Sequence, residues 1–308
     1  TGHYWLPLFS YLKNLNCKIS VFNPLQSDAL RSFYIRKAKT DKSDAKLIAE
    51  VIRISQPTET NLPSAELKQL KQLSRLRYSF VDTASDLKKQ VITVLDQLFP
   101  EYCKIFSNIF GKASLALLKQ APTPDAVLAI NTSELIEILR TTSKNRLSLI
   151  SATQKAQSLK QAANDSIGLL YLNDAFTFQL RLLLEQIELL EKQIHQLEIN
   201  MSKLVEKQGT YLTTIIGIST VSTAVILSEF GDISHISNPK QLVGFAGLDP
   251  SVKDSGNFHG TKTHMSKRGS PYLRRAIWQS AVVASNADPA LRAYYLKLTN
   301  RGKPHRVA

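Results

Sequence analysis

The chain has 308 residues, with 39 lysines and arginines against 25 aspartates and glutamates, and a formal net charge of +14. Such a charge favours a polyanionic partner, with nucleic acid ahead of a membrane surface. No apolar run approaches the roughly 20 residues that a membrane-spanning helix needs, and no signal segment opens the chain, so we expect a cytoplasmic protein without a membrane partner. The two isolated cysteines predict neither a disulfide framework nor a zinc site.

The first residues predict half of an α/β unit. Apolar residues recur at helical spacing over 1–15, and the segment CKISVF at 17–22 predicts a short strand that ends at Asn23 and Pro24. A strand needs neighbours to pair its backbone. We therefore expect earlier strands before Thr1 and a chain truncated at its N-terminus.

Two acidic residues open the next predicted helix. Thr40 is its predicted N-cap, and Asp41 and Asp44 lie three residues apart on one face of the first turn. Acids in a first turn commonly complement the helix dipole. The functional alternative is a Mg²⁺ site, in which hard carboxylate oxygens hold the ion against a phosphate. Two acids rarely complete such a site, so further ligands would come from elsewhere.

The middle of the chain is predicted to be a helical spacer. Ser64 precedes a long helix that extends to Leu98, and shorter helices are predicted over 108–172. A seam then alternates steps of four and three, which is typical of a coiled coil, at Phe176, Leu180, Leu183, Ile187, Leu190, Ile194, Leu197, Met201 and Leu204. The alternative is an ordinary amphipathic helix. The seam needs a partner, either the helix at 64–98 folded back or a second subunit in a homo-oligomer.

Residues 212–231 predict a helix, a tight turn at Gly217 and a second helix. This pattern resembles a helix-hairpin-helix, whose turn amides hold a backbone phosphate, so Gly217 is a candidate nucleic-acid contact. The motif usually has a second glycine, where this chain has Ser219. A plain helical hairpin is the alternative.

A basic block lies between Val252 and Arg275, with six lysines or arginines against one acid. Ser270 is a predicted N-cap and Pro271 the first helical residue, and a helix N-terminus favours an anion. A solvated basic loop is the alternative. Because glycines lie between the charges, we predict a phosphate-binding segment with the candidate contacts Lys262, Lys267, Arg268, Arg274 and Arg275.

Several short strings, in order, resemble the DEDD-type transposases of the insertion sequence 110 group. They are TGHYW at the start, NP at 23–24, KTDKSDA at 39–45, TIIGIS at 214–219, GFAGLDP at 244–250, DSG at 254–256, SKRGSPYLRRA at 266–276 and RGK at 301–303. The resemblance covers nearly the whole chain. Each string alone is weak, but their order and spacing are specific.

The resemblance implies an RNase-H-type (RuvC-like) domain whose four acids bind Mg²⁺, a coiled-coil insertion, and a C-terminal domain with a nucleophilic serine. Asp41 and Asp44 match the last two acids, and Ser255 matches the nucleophile, with Ser266 as the rival serine. The first Asp and the Glu of the pattern have no counterpart here, since the Glu would directly precede Thr1. The terminal helix expected after the RGK string is also missing, so we expect truncation at both ends.

The predicted fold class is mostly α with a small α/β part. It comprises a partial RuvC-like domain at 1–62, a helical and coiled-coil region at 63–207, and an α-helical transposase domain with a helix-hairpin-helix-like element at 208–308.

The predicted function is a prokaryotic, nucleoid-associated DNA transposase or recombinase that joins Ser255 transiently to a phosphate. By analogy with the family, its partners are element ends, target DNA and a guide RNA. The alternatives are a non-catalytic binder of branched DNA and an inactive remnant that only dimerises.

Overall fold

The computed structural model describes residues 4–22, 24–33, 40–57, 59–60, 62–143, 146–169, 173–233, 236–251, 254–255, 258–259 and 264–308. The described chain is mostly α-helical, as predicted. It divides into two compact units, Thr1–Ser64 and Ala65–Ala308. Among the helices of the described ranges, none is long and apolar enough to cross a membrane.

The first unit contains helices α1 (Trp5–Asn14), α2 (Pro24–Phe33) and α3 (Asp41–Ser55). The strand predicted at 17–22 is wrong, because this segment has no regular strand geometry. It is held instead by single hydrogen bonds: Thr60 N donates to Ile19 O at 2.9 Å, and Val21 N donates to Thr60 Oγ1 at 2.8 Å. A β-prone sequence forms a strand only where a neighbouring strand completes the ladder.

Two long helices, α4 (Ala65–Leu98) and α10 (Asn173–Lys207), pack along each other in the second unit. Arg77 pairs with Glu198 at 2.6 Å and Lys88 with Glu191 at 2.9 Å, so the two helices are antiparallel. The folded-back helix is therefore the partner of the predicted seam. The seam residues Leu180, Leu183, Ile187 and Met201 are buried.

Five shorter helices close one end of this pair. They are α5 (Tyr102–Ile105), α6 (Lys112–Gln120), α7 (Pro124–Ala129), α8 (Thr132–Thr142) and α9 (Leu149–Asn164). Their apolar faces form the largest core of the described chain together with the end of α4 and the start of α10. Tyr102 is fully buried there, and its hydroxyl donates a hydrogen bond to Ser114 O at 2.9 Å, as a buried polar group requires.

The C-terminal part begins with a 3-10 helix (Leu212–Thr214), where a longer helix was predicted before the turn. It continues with α11 (Thr220–Phe230), α12 (Pro239–Ala246), strands β1 (Asp254–Ser255) and β2 (Phe258–His259), α13 (Pro271–Ala287) and α14 (Pro289–Asn300). The two strands form an antiparallel hairpin that the sequence patterns did not predict. Helix α11 packs on α4, α10 and α13, and so joins this part to the long helices.

Candidate active site

Asp41 and Asp44 lie in the first turn of α3, as predicted. Thr40 and Ser43 form a reciprocal capping box there, with Ser43 N donating to Thr40 Oγ1 at 3.2 Å and Thr40 N donating to Ser43 Oγ at 3.0 Å. Asp41 is exposed, whereas Asp44 is half-buried. The capping box fixes where the helix starts and therefore which face carries the two carboxylates.

Arg31 of α2 donates to the Asp44 carboxylate, with 2.6 Å between Nη2 and Oδ1. The arginine side chain is only 16% exposed, and it also lies 3.4 Å from Asp28. Its Nε atom is buried without a hydrogen-bond partner among the described residues. Arg31 is therefore the residue that holds the Asp44 carboxylate in place.

The carboxylates of Asp41 and Asp44 fit a divalent cation in kind, because hard oxygen ligands suit such ions. Within the described ranges, no group of three or more His, Cys, Asp or Glu side chains could hold a metal ion. Asp41 and Asp44 remain candidate ligands, and one Asp44 oxygen is already engaged by Arg31.

Ser255 lies in β1, at the end of the β-hairpin. Its backbone pairs with Phe258, and Asp254 pairs with His259, so only Gly256 and Asn257 separate the two strands. The structure describes the backbone of Ser255, while Lys262 lies outside the described residues.

Asp249 precedes the segment that carries the hairpin, Ser266 follows it, and the two residues are in contact. Ser266 Oγ donates to Asp249 Oδ1 at 2.5 Å, and Ser266 N donates to Asp249 O at 2.8 Å. The Ser266 hydrogen bond is the main reason why the pKa of Asp249 lies below its usual value. The Arg268 guanidinium lies 3.4 Å from the other carboxylate oxygen.

The described cations of the basic block divide into two pairs. Lys267 and Arg268 are exposed on the loop before α13. Arg274 Nη1 instead donates to Ala246 O and Gly269 O, each at 3.1 Å. Arg275 pairs with Asp82 at 2.8 Å and lies 4.5 Å from the Tyr78 ring centre. The contacts of the second pair are therefore made within the protein.

A buried glutamate anchors α11 and α13 to α4. Glu229 is 5% exposed and accepts hydrogen bonds from Arg75 at 2.8 and 3.1 Å, with Lys71 at 3.4 Å. Burial raises the pKa of Glu229, but the Arg75 hydrogen bonds and the two positive charges outweigh burial, so the pKa lies below its usual value. Arg75 also lies 4.9 Å from the Tyr272 ring centre.

Gly217 turns the chain between the 3-10 helix and α11, as predicted. Its φ of 94° is one that residues with a side chain rarely adopt, and an added Cβ would lie 2.5 Å from Ser280 O. A groove of about 500 Å³ opens beside the turn, lined among others by Arg77, Ser219 and Ser280. Ser280 is 7% exposed, and its Oγ has no hydrogen-bond partner among the described residues.

Sequence reasoning missed Arg31, Asp82, Asp249 and Glu229. Three of them are acids: Asp82 binds Arg275, Asp249 accepts from Ser266, and Glu229 accepts from Arg75. Only Asp249 had a local signal, since it lies inside the GFAGLDP string that was used for the family resemblance. Apart from Asp28, which lies three residues before Arg31, the partners of the other three are between 13 and 193 residues away in sequence, beyond the reach of any spacing rule.

Two family models match this chain. One is described as a transposase of the DEDD type named for IS110, and it matches residues 1–100. The other is described as a transposase of the IS116/IS110/IS902 family, and it matches residues 209–296. Together they cover more than half of the chain. The first range includes Asp41 and Asp44, and the second includes Ser255.

Curated insertion-element proteins show the same similarity. The chain is 25% identical to the IS110 uncharacterized 43.6 kDa protein of Streptomyces coelicolor, over 98% of this chain and 74% of that protein. It is 24% identical to the IS900 uncharacterized 42 kDa protein of Mycobacterium paratuberculosis and to the IS116 uncharacterized 44.8 kDa protein of Streptomyces clavuligerus. Each of these two alignments covers 89% of this chain and 68% of the relative.

Proposed function

We propose, from the premise that this chain belongs to the IS110 family of transposases, that it cuts and rejoins DNA through a transient bond between Ser255 and a DNA phosphate. As a transposase it is an enzyme that acts on DNA. The observation that carries the proposal is the β-hairpin, which pairs the backbone of Ser255 with Phe258 in the same segment as the exposed cations Lys267 and Arg268.

In the proposed reaction, Ser255 Oγ attacks the phosphorus atom of a phosphodiester. A bond between oxygen and phosphorus forms, the bond to one deoxyribose oxygen breaks, and the serine proton ends on the leaving oxygen. A hydroxyl of another DNA end then attacks the phosphoserine, which restores Ser255 and joins the strands. Lys262, Lys267 and Arg268 stabilise the negative charge that builds on the phosphoryl oxygens.

The DEDD family suggests dependence on a divalent metal. We propose that the ion is Mg²⁺, and that Asp41 and Asp44 provide two of its ligands. When bound, the ion would polarise the phosphate and assist removal of the serine proton. Arg31 holds the Asp44 carboxylate in a fixed orientation, which reduces the reorganisation needed when a cation binds.

The proposed organisation has a RuvC-like domain at 1–62, a helical region at 63–207 and a transposase domain at 208–308. Ser255 and the two acids would act on the same phosphodiester, either within one protomer or across a homo-oligomer. We also propose that a guide RNA selects the target and that the protein works in the prokaryotic cytoplasm, at the nucleoid. These points are drawn by analogy with the family.

Further nucleic-acid contacts are proposed at the Gly217 turn and at α13. The N-terminus of α11 opens onto the groove at this turn, and helix N-termini favour phosphate. The assignment of Arg274 and Arg275 to phosphate stays a prediction, because both already make contacts within the protein.

A protein-DNA adduct assay tests the proposal. The chain is incubated with Mg²⁺ and labelled element ends, and the products are separated under denaturing conditions. We expect an adduct that is absent from Ser255→Ala and from samples treated with a chelator. An adduct that survives Ser255→Ala would reject this nucleophile, and binding without any adduct would favour a non-catalytic role.

A further inference from the structure

The hairpin that carries Ser255 has a defined base as well as a tip. Below the paired strands, Pro250 faces Met265 in an antiparallel bridge, and Ser251 N donates to His264 O at 2.7 Å. In the return direction, His264 N donates to Ser251 Oγ at 3.2 Å. The described residues of the outgoing and returning chain therefore pair at two places. Residues 250–251 pair with 264–265, and residues 254–255 pair with 258–259.

Asp249 and Ser266 directly flank that segment and are joined by two hydrogen bonds. One connects the Ser266 hydroxyl to the Asp249 carboxylate at 2.5 Å, and the other connects their backbones at 2.8 Å. The Asp249 side chain is 30% exposed, so solvent reaches this contact only in part. A hydrogen bond to a charged acceptor is stronger than one between neutral groups.

The base is itself fixed to the surrounding helices. Lys267 N donates to Gly247 O at 3.1 Å, and Lys267 holds a φ of 52°, which is unusual for a residue with a side chain. Gly269 lies so close to the end of α12 that an added Cβ would be 1.8 Å from Phe245 O. The hairpin therefore emerges from a tightly packed junction between α12 and α13.

We infer that Asp249 and Ser266 close the base of the hairpin and act as positioning residues for Ser255. The inference rests on the proposed function, in which Ser255 attacks the phosphate. The inference also assigns a different role to Ser266, the rival nucleophile, because its hydroxyl donates a hydrogen bond to Asp249. The Asp249 carboxylate is a weak base, since its pKa is lowered, and so it is poorly suited to activating Ser266 for attack.

Hydrogen-deuterium exchange of the full chain without DNA tests the clamp independently of any chemistry. We expect Ser266→Ala and Asp249→Ala to speed amide exchange in peptides from 250–265 by about tenfold. Peptides from α13 should keep their protection, and Ser266→Thr should retain the slow exchange because it keeps the hydroxyl. Ser285→Ala, which alters a serine bonded only within α13, is the matched control. Unchanged exchange in both hairpin variants would overturn the inference.

The adduct assay gives the second readout, with mass spectrometry to locate the modified serine. We expect Ser266→Ala to keep the adduct on Ser255 but to form it roughly 10- to 100-fold more slowly, because a displaced nucleophile loses alignment. Ser266→Thr should restore the rate, and Ser266→Ala combined with Asp249→Ala should be no slower than either single variant. An adduct on Ser266, or additive losses in the double variant, would refute the inference. Absence of any adduct in the parent chain would instead count against the proposed function, and the exchange experiment would still decide the clamp.

Discussion

The loop and the helix of the basic block carry cations of the same kind but use them differently. Lys267 and Arg268 lie on the loop and are exposed, and the Arg268 side chain is 78% exposed. Arg274 and Arg275 lie on α13 and bind carbonyl oxygens, a carboxylate and an aromatic ring of the same chain. Charge density along a sequence therefore identifies a basic segment, but it does not separate exposed cations from cations that make contacts within the fold.

The largest effect on stability is expected where a buried acid loses its cation. Arg75→Met leaves Glu229 buried with Lys71 as its remaining cation, so the free energy of unfolding should fall by about 3 kcal/mol. Urea denaturation of parent and variant measures the change. Phe80→Leu, an apolar substitution on the same helix, is the control for general damage to α4.

The same pair predicts a dependence on pH. The folded-state pKa of Glu229 lies below its unfolded value, so its stabilisation is present above the unfolded pKa and is lost as pH falls through the folded pKa. In Arg75→Met, burial should dominate and raise that pKa. The stability difference between the two proteins should therefore shrink as the pH falls toward and below the unfolded pKa of glutamate, about 4.3. A constant difference would contradict this assignment.

Gly217→Ala tests whether the turn is required by packing. The substitution should lower the free energy of unfolding by about 2 kcal/mol, because φ is 94° and the added Cβ would lie 2.5 Å from Ser280 O. Gly244→Ala is the matched control, because Gly244 lies in α12 and its added Cβ meets nothing within 4 Å. Equal stability of the two variants would show that the turn adapts and that Gly217 serves another purpose.

Arg275→Ala should have a smaller effect, about 1 kcal/mol, since both its ion pair with Asp82 and its contact with Tyr78 are partly exposed. We expect the salt dependence of DNA binding to be unchanged, which a filter-binding series at several salt concentrations would measure. A shallower slope would instead support the phosphate contact that the sequence predicted for this residue.

Combined replacement of Lys267 and Arg268 by alanine should have the smallest effect on stability, within about 0.5 kcal/mol. Its effect on DNA should be the largest of the series. If both side chains contact duplex phosphates, the slope of log affinity against log salt should become shallower by about 0.9 for each lost contact. Unaltered affinity together with an unaltered slope would place the DNA interface elsewhere.

Local signals in the sequence were sufficient for the helix starts and the long helices. Ser270 caps α13 by accepting from Leu273 N at 3.3 Å, and Pro271 follows as the first helical residue. The heptad spacing indicated a helix that the structure finds at Asn173–Lys207. The helix cap and the heptad spacing depend on residues within a few positions of one another, so a local sequence pattern is enough to predict these helices.

Only the tertiary structure decided which groups meet across long separations. The segment 17–22 has β-prone residues but forms no strand, while the short hairpin at Ser255 forms with little β pattern. Arg275 contacts Asp82, which is 193 positions away. The two residues of an ion pair, or the two strands of a ladder, must be brought together by packing. That packing depends on residues far apart in the chain rather than on any local pattern.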